Sequence, residues 1–351
     1  MTSHIRTCDV HSAALPRPRG PISDEVISRL RSPADIGPWS IHVTGEPYGE
    51  DVQLALTVLY EMHYRGFDGV DAEWEWMPGP LGVRAQLEQL FLQALHHDVP
   101  ECDDPNAVLD ALCHEPHDAW GLSHQLSAYG TWEQVREFFV HRSIYHLKEA
   151  DPNAWAIPRL TGRSKAALVA VEFDEYGGGR AERVHSRLFA DLLVAADLSD
   201  DYLGYLECVP AETLATVNFM SLCGLHRVRT PMLIGMFAAT EVTSTPSSRR
   251  MVSALERHEA PPACITFYSE HVEADAVHEL VLRFDVVGDL LAKDPGVLQT
   301  SRSVQTPPNF WKVASRNICS PRGGRAGRRS RARLVRPYDR RNDARVCDVG
   351  S

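Results

Sequence analysis

The 351-residue sequence contains no unbroken apolar run approaching the roughly 18 residues a membrane-crossing helix requires, which argues against a transmembrane protein. Its opening, Met1-Thr2-Ser3-His4-Ile5-Arg6, lacks the apolar stretch of a secretory signal, so a cytoplasmic location is expected. Eight cysteines are present, but none stands in a C-x-x-C pair or at zinc-finger spacing. Reduced structural thiols are therefore expected, rather than a disulfide framework or a zinc ribbon. Alternating apolar and polar runs of strand type are scarce, so the pattern predicts an all-α bundle.

Composition is otherwise ordinary: 44% hydrophobic and 24% charged residues, with chain enough for a large core. The net charge of -11 is unevenly spread. From Thr300 onward there are 12 arginines and one lysine against three aspartates, a local balance of +10, which leaves about -21 for the rest. The stretch Ser320-Pro321-Arg322-Gly323-Gly324-Arg325 and its continuation offer little apolar surface, so 296–351 is expected to be a disordered basic tail.

Function is most legible in three stretches. In Ser269 to Leu280, read as a helix, His271, Asp275 and His278 stand at i, i+4 and i+7 and fall within roughly 60° of one another. Two imidazoles and a carboxylate on one face suit iron, manganese or zinc, whereas a solvated helical face is the plainer alternative. The second stretch carries Glu175 and His185, which an unbroken helix would separate by about 15 Å. Gly177, Gly178 and Gly179 lie between them and are expected to break the helix and bring the two side chains towards a common point. The third, Lys148-Glu149-Ala150-Asp151-Pro152, is a proline-marked helix end. His146 and Glu149, at i and i+3, form an alternative metal pair there.

Together these stretches resemble the heme-oxygenase-like diiron oxidases and oxygenases over about residues 45 to 290. The matching residues are Lys148 to Pro152, Asp174 to Gly179 with His185, and His271 to His278. The resemblance implies a helical bundle whose metal ligands are Glu149, Glu175, His185, His271, Asp275 and His278, with Glu175 as a bridging carboxylate. It further implies two ferrous ions and dioxygen as co-substrate in the oxidation of a small organic molecule, and leaves room for an electron donor and a homodimer. Nucleic acid is not an expected partner despite the basic tail, and no membrane partner is expected. A further core helix is also implied after the His-Asp-His helix, and none is evident beyond Pro295.

The expected organisation is a flexible lead-in over 1–44, an N-terminal helical part over 45–130, a metal-binding core over 131–295 and the tail. Ser23 is a candidate cap for Ile22 to Leu30, and Thr131 for Trp132 to Glu149. Helices are expected over Val52 to Tyr64, Leu81 to His96, 105–126, Arg187 to Ala195, Glu212 to Leu225, Met232 to Thr243 and Ser247 to His258. Glu61 and His63 point to different helical faces and are read as packed side chains, and His96-His97-Asp98 as a loop. Phe138, Tyr145, Trp155 and Phe219 are the candidate pocket shapers, and Arg142 is a candidate to face the cavity.

Two rival readings accompany this one. A cofactorless oxidase or hydrolase on the same fold would need no metal, and a non-catalytic iron-binding protein would use the tail for nucleic acid.

Overall fold

A computed structural model describes residues 12–99, 104–116 and 119–294. Helices account for nearly all the regular structure among these residues, and an isolated bridge between Ala13 and Phe67 is the β pairing present. The helices are α1 (Pro21–Leu30), α2 (Glu50–Glu61), α3 (Pro78–Asp98), α4 (Pro105–Leu112), α5 (Leu122–Tyr129), α6 (Trp132–His146) and α7 (Asp151–Ala154). They continue with α8 (Gly162–Glu175), α9 (His185–Ala195), α10 (Ala211–Leu225), α11 (Thr230–Arg257), α12 (Pro262–Leu280) and α13 (Gly288–Lys293). A π-helical turn over Val281–Val287 joins α12 to α13. Among the described residues no helix is long and apolar enough to cross a membrane.

The core is built in two parts. The larger gathers α1, α2, α3, α10 and the N-terminal half of α11 around Leu54, Val58, Phe91, Leu214 and Leu233. The smaller packs α5, α6, α9, α12 and the C-terminal half of α11 around Phe139, Phe189, Leu255 and Phe267. Helix α6 supplies Ile144 to one and Phe139 to the other, and α11 supplies Val242 to one and Met251 to the other. Those two helices therefore carry the seam along which polar side chains gather.

Local sequence explains where the elements begin and end. Thr131 caps α6, its hydroxyl accepting from Gln134 N at 3.3 Å while the Gln134 side chain accepts from Thr131 N at 3.0 Å. Ser23 has the complementary role to the one expected. Helix α1 starts at Pro21, and Ser23 Oγ reaches back to accept from Gly20 N at 3.1 Å. After α8 the chain runs through Gly177, Gly178 and Gly179 at φ 77°, 61° and 81°, a left-handed run that glycine alone adopts cheaply. The expected break of the helix is present there.

Four expectations need correction. The lead-in is not flexible throughout, because Ile22, Val26, Leu30, Trp39 and Ile41 are buried in the larger core. His96, His97 and Asp98 form the last turn of α3, whose apolar partners extend the helix past the expected loop. The span 105–126 holds two helices, α4 and α5. Met232 to Thr243 and Ser247 to His258 are one helix, α11, with Pro246 inside it. Packing against α12 and both core clusters outweighs the hydrogen bond that proline cannot make. The basic tail over 296–351 lies outside the described residues.

Candidate metal centre

Helices α8, α9, α11 and α12 and the turn that follows α6 send seven ionisable side chains into the seam, and all seven are buried. Glu149, His185 and His271 form one group, and Glu175, Glu241, Asp275 and His278 form a second. Within each, one donor atom per residue lies within 4.8 Å of the others. The six residues picked from the sequence are thus brought together, and Glu241 joins them.

Glu175 connects the groups. Its Oε2 is 2.7 Å from His185 Nδ1 in the first, and its Oε1 is 3.3 Å from His278 Nδ1 in the second. The glycine run makes this possible by turning the chain back between α8 and α9. A Cβ on Gly177 would lie 2.6 Å from Val184 N, so the return can be this tight only with glycine. On α12, the spacing of four and three residues stacks His271, Asp275 and His278 on one face. The His185 and His271 rings are 4.5 Å apart, and His278 Nδ1 is also 3.3 Å from Glu241 Oε2.

Residues 136–303 match the family model described as iron-containing redox enzyme, and this stretch carries all seven side chains. Residues 136–303 belong to that family. The described part of this iron-containing redox enzyme segment, 136–294, folds as a heme-oxygenase-like bundle. No curated protein matches the chain.

The redox-enzyme segment carries polar atoms that protein alone does not satisfy. Glu149 Oε2, His185 Nδ1, Glu241 Oε2, His271 Nε2, Asp275 Oδ1 and His278 Nδ1 are all buried, and where they face another donor, as His185 Nδ1 faces Glu175 Oε2 at 2.7 Å, the contact is an ion pair without hydrogen-bond geometry. Buried polar atoms are rarely left so, because each costs about 1–3 kcal/mol unless something compensates it. Here the orphaned atoms converge, and they are lone-pair donors of the kind that divalent iron accepts. The residues present therefore fit a pair of bound cations.

Surrounding groups fix the orientation of several donors. His271 Nδ1 donates to the Phe267 carbonyl at 2.7 Å, which turns Nε2 towards Glu149, 3.6 Å away. His278 Nε2 faces Asp174 Oδ2 at 3.4 Å, leaving Nδ1 for the cluster. Ser244 Oγ donates to Asp275 Oδ2. Arg142 Nε donates to His146 Nε2 at 3.1 Å, so His146 carries its proton on Nδ1 and passes a 2.6 Å hydrogen bond to Glu149 Oε1. His146 thereby positions Glu149 and is not itself a member of either group.

The electrostatics record the crowding of carboxylates. Burial alone would discharge the His271 ring, but the charge of Glu149, with Asp275 and Glu175 behind it, pushes it up to about 10. Burial likewise opposes a charged His278, which Glu175 and Glu241 raise to about 11. Burial, then the charge of Glu241, drives the Asp275 carboxyl well above the usual range, and burial, with the charge of Glu175, raises Glu241. His146 moves the other way, to about 4, because burial and the Arg142 charge outweigh Glu149. Protons and metal cations compete for such atoms, so bound dications would displace protons from both imidazoles and both acids.

Glu241 was missed because nothing near it in sequence repeats a ligand spacing. The available signal was a lone carboxylate in the apolar run Met232 to Val242 of α11, a place where an unpaired acid is costly. Glu61, read as a packed side chain, pairs with Lys148 and belongs to neither donor group. Of the pocket shapers, Phe138 and Tyr145 line the cavity beside the donors, as does Arg142. Trp155 lines a separate cleft with Tyr64 and Tyr176, and Phe219 is part of the larger core.

Proposed function

We propose that this protein is a nonheme diiron oxidase or oxygenase acting on a small organic substrate. The observation that carries the reading is Glu175, whose two oxygens reach histidines of two different donor groups. Glu149, His185 and His271 would hold one ion, Glu241, Asp275 and His278 the other, with Glu175 shared. Four carboxylates then balance two ferrous ions, and the three imidazoles bind as neutral ligands. Bound ferrous iron would supply the electrons that activate dioxygen.

The chain's own part is to hold and to exclude. Arg142 and His146 keep one Glu149 oxygen engaged, and Asp174 and the Phe267 carbonyl fix the rings of His278 and His271. Phe189 and Phe267 pack against His146 and keep water from that side. A metal-independent enzyme would gain nothing from seven converging buried donors, and a purely iron-binding protein would not need the cavity that opens onto them.

Anaerobic ferrous titration followed by Mössbauer spectroscopy tests the proposal. Two irons per chain in coupled sites are expected, with His278→Ala losing iron. A single uncoupled iron, or unchanged iron content in His278→Ala, would overturn it.

A further inference from the structure

Two cavities reach the donor groups. The one between α6, α11 and α12 has a volume of about 60 Å³ and carries Arg142 on its wall. The other, of about 270 Å³, lies between the glycine turn that follows α8 and the outer side of α12. Gly177 and Gly178 line it on one side, Glu273 and Ala274 on the other. A Cβ on Gly178 would meet nothing outside the turn closer than 3.8 Å, so the turn leaves this space open.

The larger cavity touches one donor of each group. His185, 2% exposed and grouped with Glu149 and His271, is part of its lining. Asp174 is part of it too. The Asp174 side chain is 58% exposed, yet its Oδ2 lies 3.4 Å from Nε2 of the buried His278, which belongs to the other group. One carboxylate therefore links solvent to a buried donor.

Charge separates the two cavities. At the larger one Glu270 pairs with Arg183, and Asp174 and Glu273 then stand against Arg180. Three carboxylates thus meet two guanidiniums, and the four carboxylates of the donor groups lie behind them. Low-dielectric walls focus such a field towards the opening and draw cations in. At the smaller cavity the guanidinium of Arg142 stands on the wall and opposes an incoming dication.

Size separates them as well. A divalent ion that keeps a shell of about six waters, at about 30 Å³ each, occupies roughly 180 Å³. That fits within the larger cavity and is about three times the volume of the smaller.

We infer that ferrous ions load through the cavity at the glycine turn, with Glu273 and Asp174 as their first carboxylate contacts. The inference rests on the diiron reading, which supplies the ions to be loaded. From Asp174 an ion passes towards His278, and His185 receives one for the other group, so a single mouth serves both positions. Each transfer is a ligand exchange: water leaves the ion, carboxylate or imidazole takes its place, and protons displaced from the donors go to solvent.

The test mixes the metal-free full chain with ferrous ions under anaerobic conditions. A chromogenic ferrous chelator traps unbound iron after set delays, and the iron retained at the end is counted. Glu273→Lys is expected to slow uptake about three-fold or more at low ionic strength, with the difference shrinking as salt is added and the final count unchanged. Asp174→Asn is expected to slow uptake as well. Glu256→Lys makes the same charge change as Glu273→Lys, about 22 Å along α11 from Glu241, and Ser247→Lys adds a cation to the smaller cavity. Both are expected to load at the wild-type rate.

Wild-type uptake in Glu273→Lys and Asp174→Asn would overturn the inference. So would equal slowing in Glu256→Lys, or slowing confined to Ser247→Lys. The final count on the wild-type chain judges the diiron reading separately. One ion per chain removes that reading, while the dependence of its uptake on Glu273 still decides the route.

Discussion

Glu61 Oε2 and Lys148 Nζ lie 3.0 Å apart, both sealed from solvent, and join α2 to the chain segment that carries Glu149. Tyr202 Oη donates to the other Glu61 oxygen at 2.8 Å, and Arg65 donates to the Leu147 carbonyl at 3.1 Å. The segment is thus clamped on both sides just before Glu149. Removing one partner leaves a buried charge unmatched, so Glu61→Ala is expected to cost about 3–5 kcal/mol. Urea denaturation measures it. Iron content should fall as well, because Glu149 loses its frame.

The glycine turn gives a graded series. Gly177→Ala places a methyl against Val184 N and the Arg183 carbonyl carbon at a left-handed residue. It is expected to cost roughly 2 kcal/mol or more and to lower iron content by displacing His185. At Gly179 the nearest atom outside the turn is a Phe173 ring carbon at 3.8 Å, so Gly179→Ala should cost only about 1 kcal/mol of backbone strain and leave iron binding intact. Equal effects at both positions would contradict the structure.

Glu241 makes its own prediction about stoichiometry. Glu241→Ala removes a donor from the group containing Asp275 and His278 while leaving Glu149, His185 and His271 untouched. Iron content should drop from two per chain to about one, with the remaining iron losing its spectroscopic coupling. Retention of both ions would remove Glu241 from the centre.

A pH dependence follows from Glu172, one turn before Glu175. Its two oxygens are buried without hydrogen-bond partners, and burial, then the charges of Glu175, Asp151 and Glu241, push its carboxyl up to about 9. The raised folded-state value means the group favours folding fully below its ordinary unfolded value of about 4.5, and this contribution is lost as pH rises towards about 9. Glu172→Gln mimics the neutral acid. Its melting temperature in the metal-free protein should match wild type near pH 4 and exceed it by a margin that grows up to about pH 9. A constant offset across that range would contradict the assignment.

How far the sequence reached depended on how local each relation is. His271, Asp275 and His278 were legible because one helix fixes their geometry through spacing alone. Glu175 and His185 required a break, and the three glycines announced it. Glu241 had no such signal, since its place comes from the packing of α11 against α12. The same packing carried α11 through Pro246, where local propensity marks a boundary. Arg142 and Tyr145 were placed at the cavity by their turn of α6.

Pro246 leaves α11 without one rung of its ladder midway between Glu241 and Met251, and there Thr240, Thr243 and Ser244 hydroxyls bond to carbonyls of the preceding turn. The helix is therefore two stiff rods joined by a softer link. One rod carries Glu241, and the other carries Ser248 and Met251. A small bend at that joint would widen the slot between them without moving either core. Breathing of a single helix would then set the width of the cavity beside the donors.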